Sequence, residues 1–142
     1  MKRDPRLQGL SSQHHQALVL ARSLTRDPFS WSLEDGVALG ERFDAELDPH
    51  FRIEDEVLLP ALRSAGTAAL AERLEADHAF LRETMLAARR GDSTAARTFG
   101  QRLEAHVRFE EQELFPACEA TLPEDVLAEV AHRAPKGPRR SD

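Results

Sequence analysis

An eleven-residue segment occurs twice in this chain, and its two copies constrain the fold more than any other feature. Residues 50–60 read HFRIEDEVLLP and residues 106–116 read HVRFEEQELFP, 56 positions further along. Each copy begins with a histidine that is followed four positions later by a glutamate. On an α-helix, residues i and i+4 lie on the same face, so the imidazole and carboxylate of each copy can reach one common point.

Two further histidines share a pattern outside the repeat. The segments His78-Ala-Phe-Leu81 and His15-Gln-Ala-Leu18 both read His-x-x-Leu, which favours His15 as the counterpart of His78. His14 is the alternative, because helical spacing places Leu10, His14, Leu18 and Ala21 on one stripe. We take His15 as the prediction and keep His14 open.

Apolar residues recur at helical spacing in four long segments and one short one. The predicted helices cover about residues 11–25, 33–62, 68–90, 94–118 and 124–133. Short turns between long helices imply antiparallel neighbours. The predicted fold is therefore all-α: an up-down-up-down antiparallel four-helix bundle with a short fifth, C-terminal helix.

The repeated histidine–glutamate pairs and His78 fall on the apolar stripes of their helices. Burying such groups is costly unless they are satisfied, and a bound metal would satisfy them. Four imidazoles and two carboxylates suffice for two transition-metal ions, with the carboxylates as bridges. The predicted metal ligands are His15, His50, Glu54, His78, His106 and Glu110. Salt-bridged polar stripes in a metal-free bundle are the alternative interpretation.

The type of ligand narrows the choice of metal. The chain has one cysteine, Cys118, so no thiolates converge to form a closed structural zinc site. Calcium and magnesium prefer shells made of oxygen, which argues against both. Imidazole with bridging carboxylate suits iron, with manganese or zinc as alternatives.

Other residues near the repeat carry weaker expectations. Five acidic side chains near the predicted ligands should face solvent or form hydrogen bonds that orient a ligating imidazole. They are Asp55, Glu56, Asp77, Glu111 and Glu113. Pro49 should bend the second helix or break it in two. The link 29–31 contains the only tryptophan, Trp31, and should cover an end of the bundle.

The length of 142 residues suits one domain. We expect an N-terminal arm at 1–10, the bundle at 11–134 and a disordered tail at 135–142. The net charge of −6, without a long basic stripe, disfavours nucleic-acid binding. We expect no membrane association and a cytoplasmic location, because no apolar run approaches a bilayer span and no signal peptide is evident.

The pattern of His15, His50-x-x-x-Glu54, His78 and His106-x-x-x-Glu110, with the LLP and LFP tails, resembles the hemerythrin-like (HHE) cation-binding domain. The resemblance covers about residues 11–118. It implies a four-helix bundle holding two iron ions in a non-haem di-iron centre, bridged by the two glutamates and by an oxo or hydroxo group. Members of the family bind or sense dioxygen, sense iron, or react with nitric oxide or peroxide.

One position departs from the family's pattern. Oxygen-carrying hemerythrins have a further histidine one turn before the one that matches His78, and this chain has Leu74 there. One metal should therefore be more open, which puts simple reversible oxygen carriage in doubt.

Three functional hypotheses follow from the resemblance. The first is a binder or sensor of a small diatomic or peroxide ligand. The second is a di-iron peroxidase, a catalase-like enzyme or a nitric oxide reducing enzyme. The third is an interaction module that depends on iron. The sequence leaves open whether the protein turns over, what donates electrons to it and whether it has a protein partner.

Overall fold

Five helices make up the computed structural model, which describes residues 2–26 and 30–135. We number them α1 (Gln8–Thr25), α2 (33–64), α3 (Ala68–Ala88), α4 (93–121) and α5 (Glu124–Arg133). Helix α1 packs along α4, α4 along α3, and α3 against the end of α2. No strand occurs among the described residues. The predicted all-α bundle with a short fifth helix is confirmed.

Helices α2 and α4 contain wider, π-helical turns. In α2 these are Phe43–Leu47 and Glu54–Leu58, and in α4 it is Glu110–Leu114. Each wide turn ends two residues before a proline: Pro49, Pro60 or Pro116. Proline lacks an N–H, and its ring displaces a carbonyl of the preceding turn. The residue before each proline instead donates to the carbonyl five positions back.

These turns affect both copies of the repeat in the same way. Glu54 and Glu110 each begin a π-helical turn, and such turns are often found at functional sites. The helix does not break at Pro49, because the wide turn before it accommodates the proline within one continuous run from 33 to 64. Of the two predicted effects of Pro49, a bend or a break, the break is therefore wrong.

The ends of the helices follow local sequence chemistry. Ser32 and Asp35 form a reciprocal capping box at the start of α2. Asp92 accepts a hydrogen bond from the Ala95 N–H at the start of α4. Gly91 follows α3 with φ +99°, the left-handed conformation that glycine adopts at no steric cost.

The N-terminal segment is packed rather than free over its described residues. A 3-10 turn, Pro5–Leu7, precedes α1, which begins at Gln8, three residues before the predicted start at about residue 11. Leu7 and Leu10 are fully buried and join the apolar cluster that also contains residues of α5. The expected arm at 1–10 is thus wrong for residues 2–10. Of the expected tail, residues 136–142 lie outside the described part of the chain.

Two apolar clusters form the core. One contains residues near the N-terminal end of α1 and in α5, with Leu58, Leu74 and Leu114 among its members. The other contains Phe43, Leu81, Phe99 and their neighbours. Along each long helix, the buried polar residues lie where one cluster gives way to the other, so they form a layer enclosed by apolar side chains.

The link before α2 also contributes to packing. Trp31 packs against the second cluster, and its Nε1–H donates to the Ala88 carbonyl at 3.1 Å. This agrees with the expectation that Trp31 covers an end of the bundle, while Phe29 lies outside the described residues. In the described ranges, the helices are all too short or too polar to cross a membrane.

Candidate metal centre

Six polar side chains meet between the two apolar clusters. Helix α1 contributes His14, α2 contributes a histidine and a glutamate, α3 contributes one histidine, and α4 contributes a histidine and a glutamate. They are His14, His50, Glu54, His78, His106 and Glu110. Both glutamates are fully buried, and even the most exposed histidines show only 5% of their surface. Each long helix therefore supplies at least one ligand-type group to a dry interior.

The six residues form two overlapping groups, each with ligand atoms within 4.8 Å of one another. Glu54 and Glu110 belong to both groups. The groups are His14, His50, Glu54 and Glu110, and Glu54, His78, His106 and Glu110. Each group thus has two imidazoles of its own and the same two carboxylates, which suits a binuclear site with bridging carboxylates.

Short contacts connect each histidine Nε2 with a carboxylate. The distances are 2.7 Å for His14–Glu110, 3.0 Å for His50–Glu54, 2.9 Å for His78–Glu54 and 3.1 Å for His106–Glu110. All four imidazoles therefore turn the same ring nitrogen towards the two glutamates.

The structure corrects the choice of histidine on α1. His14 joins the cluster and is buried, whereas His15 is exposed. The next residue of an α-helix is rotated by roughly 100°, so two adjacent histidines cannot share the buried face. The His-x-x-Leu match was misleading because it follows sequence order and does not follow the buried face of α1. The alternative stripe was correct, since Leu10, His14 and Ala21 are all buried.

Three buried atoms at the centre have no hydrogen-bond partner among the described residues. They are Oε2 of Glu54, Oε2 of Glu110 and Nε2 of His106. Although Nε2 of His106 lies 3.1 Å from Oε2 of Glu110, neither atom has a partner in hydrogen-bond geometry. Unsatisfied polar atoms in a dry interior are costly. A cation between the two glutamates would satisfy all three atoms, so the residues fit a metal pair.

Comparison with family models agrees with this geometry. The model of the Hemerythrin HHE cation binding domain matches residues 8–118. The chain belongs to this family. No curated protein and no solved structure matched it significantly. All six clustered residues of this hemerythrin HHE domain lie inside the matched range.

Without a metal, the neighbouring carboxylates favour the protonated form of two imidazoles, those of His50 and His106. Burial opposes a charge on His50, but the charge of Glu54 and the hydrogen bond with Glu110 outweigh it and raise the pKa to about 10. Burial also opposes a charge on His106, where the charge of Glu110 and the hydrogen bond with Asp77 raise the pKa to about 10. Metal binding must release the Nε2 protons.

The carboxylate of Glu110 responds in the opposite sense. Burial by itself would raise its pKa, but the charge of His106, the hydrogen bond with His14 and the nearby imidazole of His50 hold the pKa well below its usual value. Glu110 is therefore an anion that is ready to bind a cation.

The other ring nitrogen of each histidine has a partner of its own. Each Nδ1–H donates to an oxygen: Glu111 for His14 at 2.6 Å, Gln13 for His50 at 2.6 Å, Asp55 for His78 at 2.6 Å and Asp77 for His106 at 2.8 Å. Such partners fix the tautomer and orientation of a ligating imidazole. Of the acidic residues expected behind the site, Asp55, Asp77 and Glu111 are therefore in place, and Glu56 and Glu113 are exposed.

Sequence reasoning missed Gln13, because an amide beside a histidine on α1 forms no recognisable motif. Gln13 lies 37 residues before His50 in the chain, so only the folded arrangement of α1 and α2 reveals that the two side chains are paired.

A cavity of about 310 Å³ leads from the surface to the cluster. It lies between α1, α2 and α4 and reaches His14, His50, His106 and Glu110. Its walls are mostly apolar; Leu20, Leu47, Phe51, Leu103 and Val107 are among them. Gln13, Gln16, Arg42 and Glu46 also line it. A small molecule therefore has a route to the site.

Leu74 lies one turn before His78 on α3. It is fully buried and belongs to the apolar cluster next to the site. Its side chain offers no ligand atom, so the group that contains His78 and His106 has two imidazoles, the same number as the other group.

Proposed function

We propose that this hemerythrin HHE domain holds two iron ions and uses them to bind, sense or react with a small ligand such as dioxygen, nitric oxide or peroxide. The observation that supports this most strongly is the pair of overlapping buried groups that share Glu54 and Glu110. Two carboxylates common to two pairs of histidines are the arrangement that a carboxylate-bridged metal pair requires.

Each side chain has a defined role in the proposal. Glu54 and Glu110, which belong to both groups, would be ligands common to the two ions. His14 and His50 would hold one ion, and His78 and His106 would hold the other. Six residues cannot fill two octahedral shells, so positions remain for water or an exogenous ligand. The mixture of imidazole and carboxylate favours iron, with manganese or zinc as the alternatives.

The bound irons would supply the one-electron redox chemistry that dioxygen, nitric oxide and peroxide require. The residues of the chain orient the ligating side chains and enclose the site. The Nδ1–H bonds orient the four imidazoles, and the two apolar clusters enclose the site above and below along the helices. The cavity between α1, α2 and α4 admits the ligand along mainly apolar walls, which suits a small uncharged molecule.

The first experiment is the metal content of protein purified from iron-supplemented cells, with an absorption spectrum before and after dithionite and again after exposure to air. About two irons per chain, with near-ultraviolet bands that bleach and return, is the expected result. Zinc or no metal, with an unchanged spectrum, would overturn the proposal.

Catalytic turnover is the second candidate, because the cavity connects solvent with the cluster. Consumption of hydrogen peroxide or nitric oxide by the iron-loaded protein, in the presence of an artificial reductant, distinguishes an enzyme from a binder or sensor. Many equivalents consumed per chain indicate an enzyme, and one equivalent or fewer indicates a binder or sensor. Glu54→Gln protein, which lacks one bridging carboxylate, is the control for iron bound elsewhere.

A further inference from the structure

We infer that Gln13 makes the two metal positions unequal, so that the position formed by His14 and His50 binds its ion more weakly and exchanges it more readily. This inference rests on the metal pair proposed above. Its starting observation is the contact of 2.6 Å between Nδ1 of His50 and Oε1 of Gln13.

The two positions have equal donor sets. Each group has two imidazoles and the same two carboxylates, and Leu74 removes the third imidazole that would have distinguished them. A difference between the positions must therefore come from the groups behind the ligands, which tune the basicity of the imidazoles.

Three of the four imidazoles share one kind of support. His14, His78 and His106 each donate Nδ1–H to a carboxylate, and each carboxylate is held in turn by an arginine. The arginine contacts are Arg3–Glu111 at 3.2 Å, Arg82–Asp55 at 2.8 Å and Arg73–Asp77 at 3.6 Å. The same arginines lie over Phe115, Phe51 and Phe109, and these rings pack on the histidines concerned.

His50 departs from this arrangement. Its Nδ1–H donates to the neutral amide oxygen of Gln13. A carboxylate draws the Nδ1 proton more strongly than an amide does, and charge-assisted hydrogen bonds are about twice as strong as neutral ones. His50 is therefore the one imidazole of the four whose Nδ1 partner is uncharged, and this partner adds the least to the donor strength of Nε2. Both imidazoles of the His78/His106 position have carboxylate support, whereas only one of the His14/His50 position does.

The weaker position is also the one that faces the cavity. Both His14 and His50 line it, whereas only His106 of the other pair does. Gln13 is exposed and lines the same cavity. A metal at His14/His50 thus has the weaker ligand and the shorter route to solvent, which makes it both the ion that leaves first and the ion that an incoming ligand meets.

The test measures the two binding steps directly. Chelator-treated protein is titrated with Zn²⁺, and separately with Co²⁺, in competition with a chromophoric chelator. Two steps of different affinity are expected for the wild-type chain. Gln13→Ala should weaken the weaker step by about 10–100-fold, the usual cost of losing such a partner, and Gln13→Glu should strengthen the same step. The absorption bands of the weaker-bound Co²⁺ should shift in both variants, while the tighter step stays unchanged.

Gln16→Glu is the matched control. Gln16 is also exposed, lies one turn along α1 and lines the same cavity. Its backbone carbonyl accepts a hydrogen bond from Arg42. The control adds the same charge without touching His50. Far-ultraviolet circular dichroism checks that each variant folds.

The outcomes separate this inference from the proposed function. A wild-type chain that binds no metal would refute both. Two bound ions with equal affinities, a change in both steps on altering Gln13, or the same gain in Gln16→Glu as in Gln13→Glu would overturn the inference and leave the metal pair standing.

Discussion

The Nε2 atom of His14 lies 2.7 Å from Oε1 of Glu110, which joins α1 to a carboxylate shared by both halves of the metal centre. The ring of His14 also stacks on Phe115, with 5.4 Å between the ring centroids. A residue outside both copies of the repeat thus completes one of the two ligand groups.

The pair of adjacent histidines on α1 provides the first prediction. His14→Ala should reduce the bound metal from two ions per chain to one, because it removes a ligand from the His14/His50 group. His15→Ala should bind as much metal as the wild type, because His15 is exposed. Elemental analysis of both variants checks this. Equal losses in the two variants, or a loss in His15→Ala alone, would contradict the assignment.

Glu110 provides the second prediction. Glu110→Gln keeps the shape of the side chain but removes one of the two carboxylates that each group contains, so at least one metal ion should be lost. The metal-stripped variant should also lose about 3–5 kcal/mol in free energy of unfolding, the usual cost of breaking a buried ion pair. Elemental analysis and urea unfolding measure the two effects.

The matched control for this substitution is Glu113→Gln. Glu113 lies on the same helix but is exposed, so metal content and stability should both stay near the wild-type values. Full metal occupancy in Glu110→Gln would show that this carboxylate is not a ligand.

Sequence reasoning predicted much of the centre because the chemistry is repeated in helical register. His50, Glu54, His106 and Glu110 follow from a spacing of four within two matched segments, and His78 follows from its apolar stripe. The boundaries of α5 were also predicted, since Pro123 immediately precedes its first residue, Glu124.

The remainder depended on packing that a single sequence does not specify. Motif matching favoured His15, but the buried face of α1 is set by contact with α4 and contains His14. The packing of residues 2–10 comes from docking against α5, which is distant in sequence. The partners of the Nδ1 atoms all come from other helices, so no local pattern identifies which polar residue serves which histidine.

The pH dependence of the metal-stripped protein provides the third prediction. The pKa values of His50 and His106 are about 10 in the folded chain, against 6.5 for an ordinary histidine. Their contribution to stability is therefore fully present below pH 6.5 and is lost as the pH rises through 10. Glu110, whose pKa is lowered from 4.5, contributes above pH 4.5 and loses that contribution in more acidic solution.

The stripped protein should thus be most stable between pH 4.5 and 6.5, with a melting temperature that falls steadily towards pH 10. Differential scanning calorimetry across this range tests the expectation. His50→Gln should start from a lower melting temperature and show a shallower fall, because one of the raised pKa values is gone. A flat profile of the wild-type stripped chain above pH 6.5 would contradict the protonated cluster.

The buried N-terminal segment provides the last prediction. Leu7 is fully buried in the cluster that holds residues of α5, so Leu7→Ala should cost about 2–5 kcal/mol in free energy of unfolding through lost burial and a new cavity. Leu33, with 63% of its surface exposed, is the control, and Leu33→Ala should change stability by about 0.5 kcal/mol or less. Urea unfolding of the metal-loaded variants measures the two changes in free energy of unfolding. The dependence of that free energy on urea concentration should be the same in both variants. If Leu7→Ala were as mild as Leu33→Ala, the segment before α1 would be a free arm in solution, and the contact of Arg3 with Glu111 would no longer support His14.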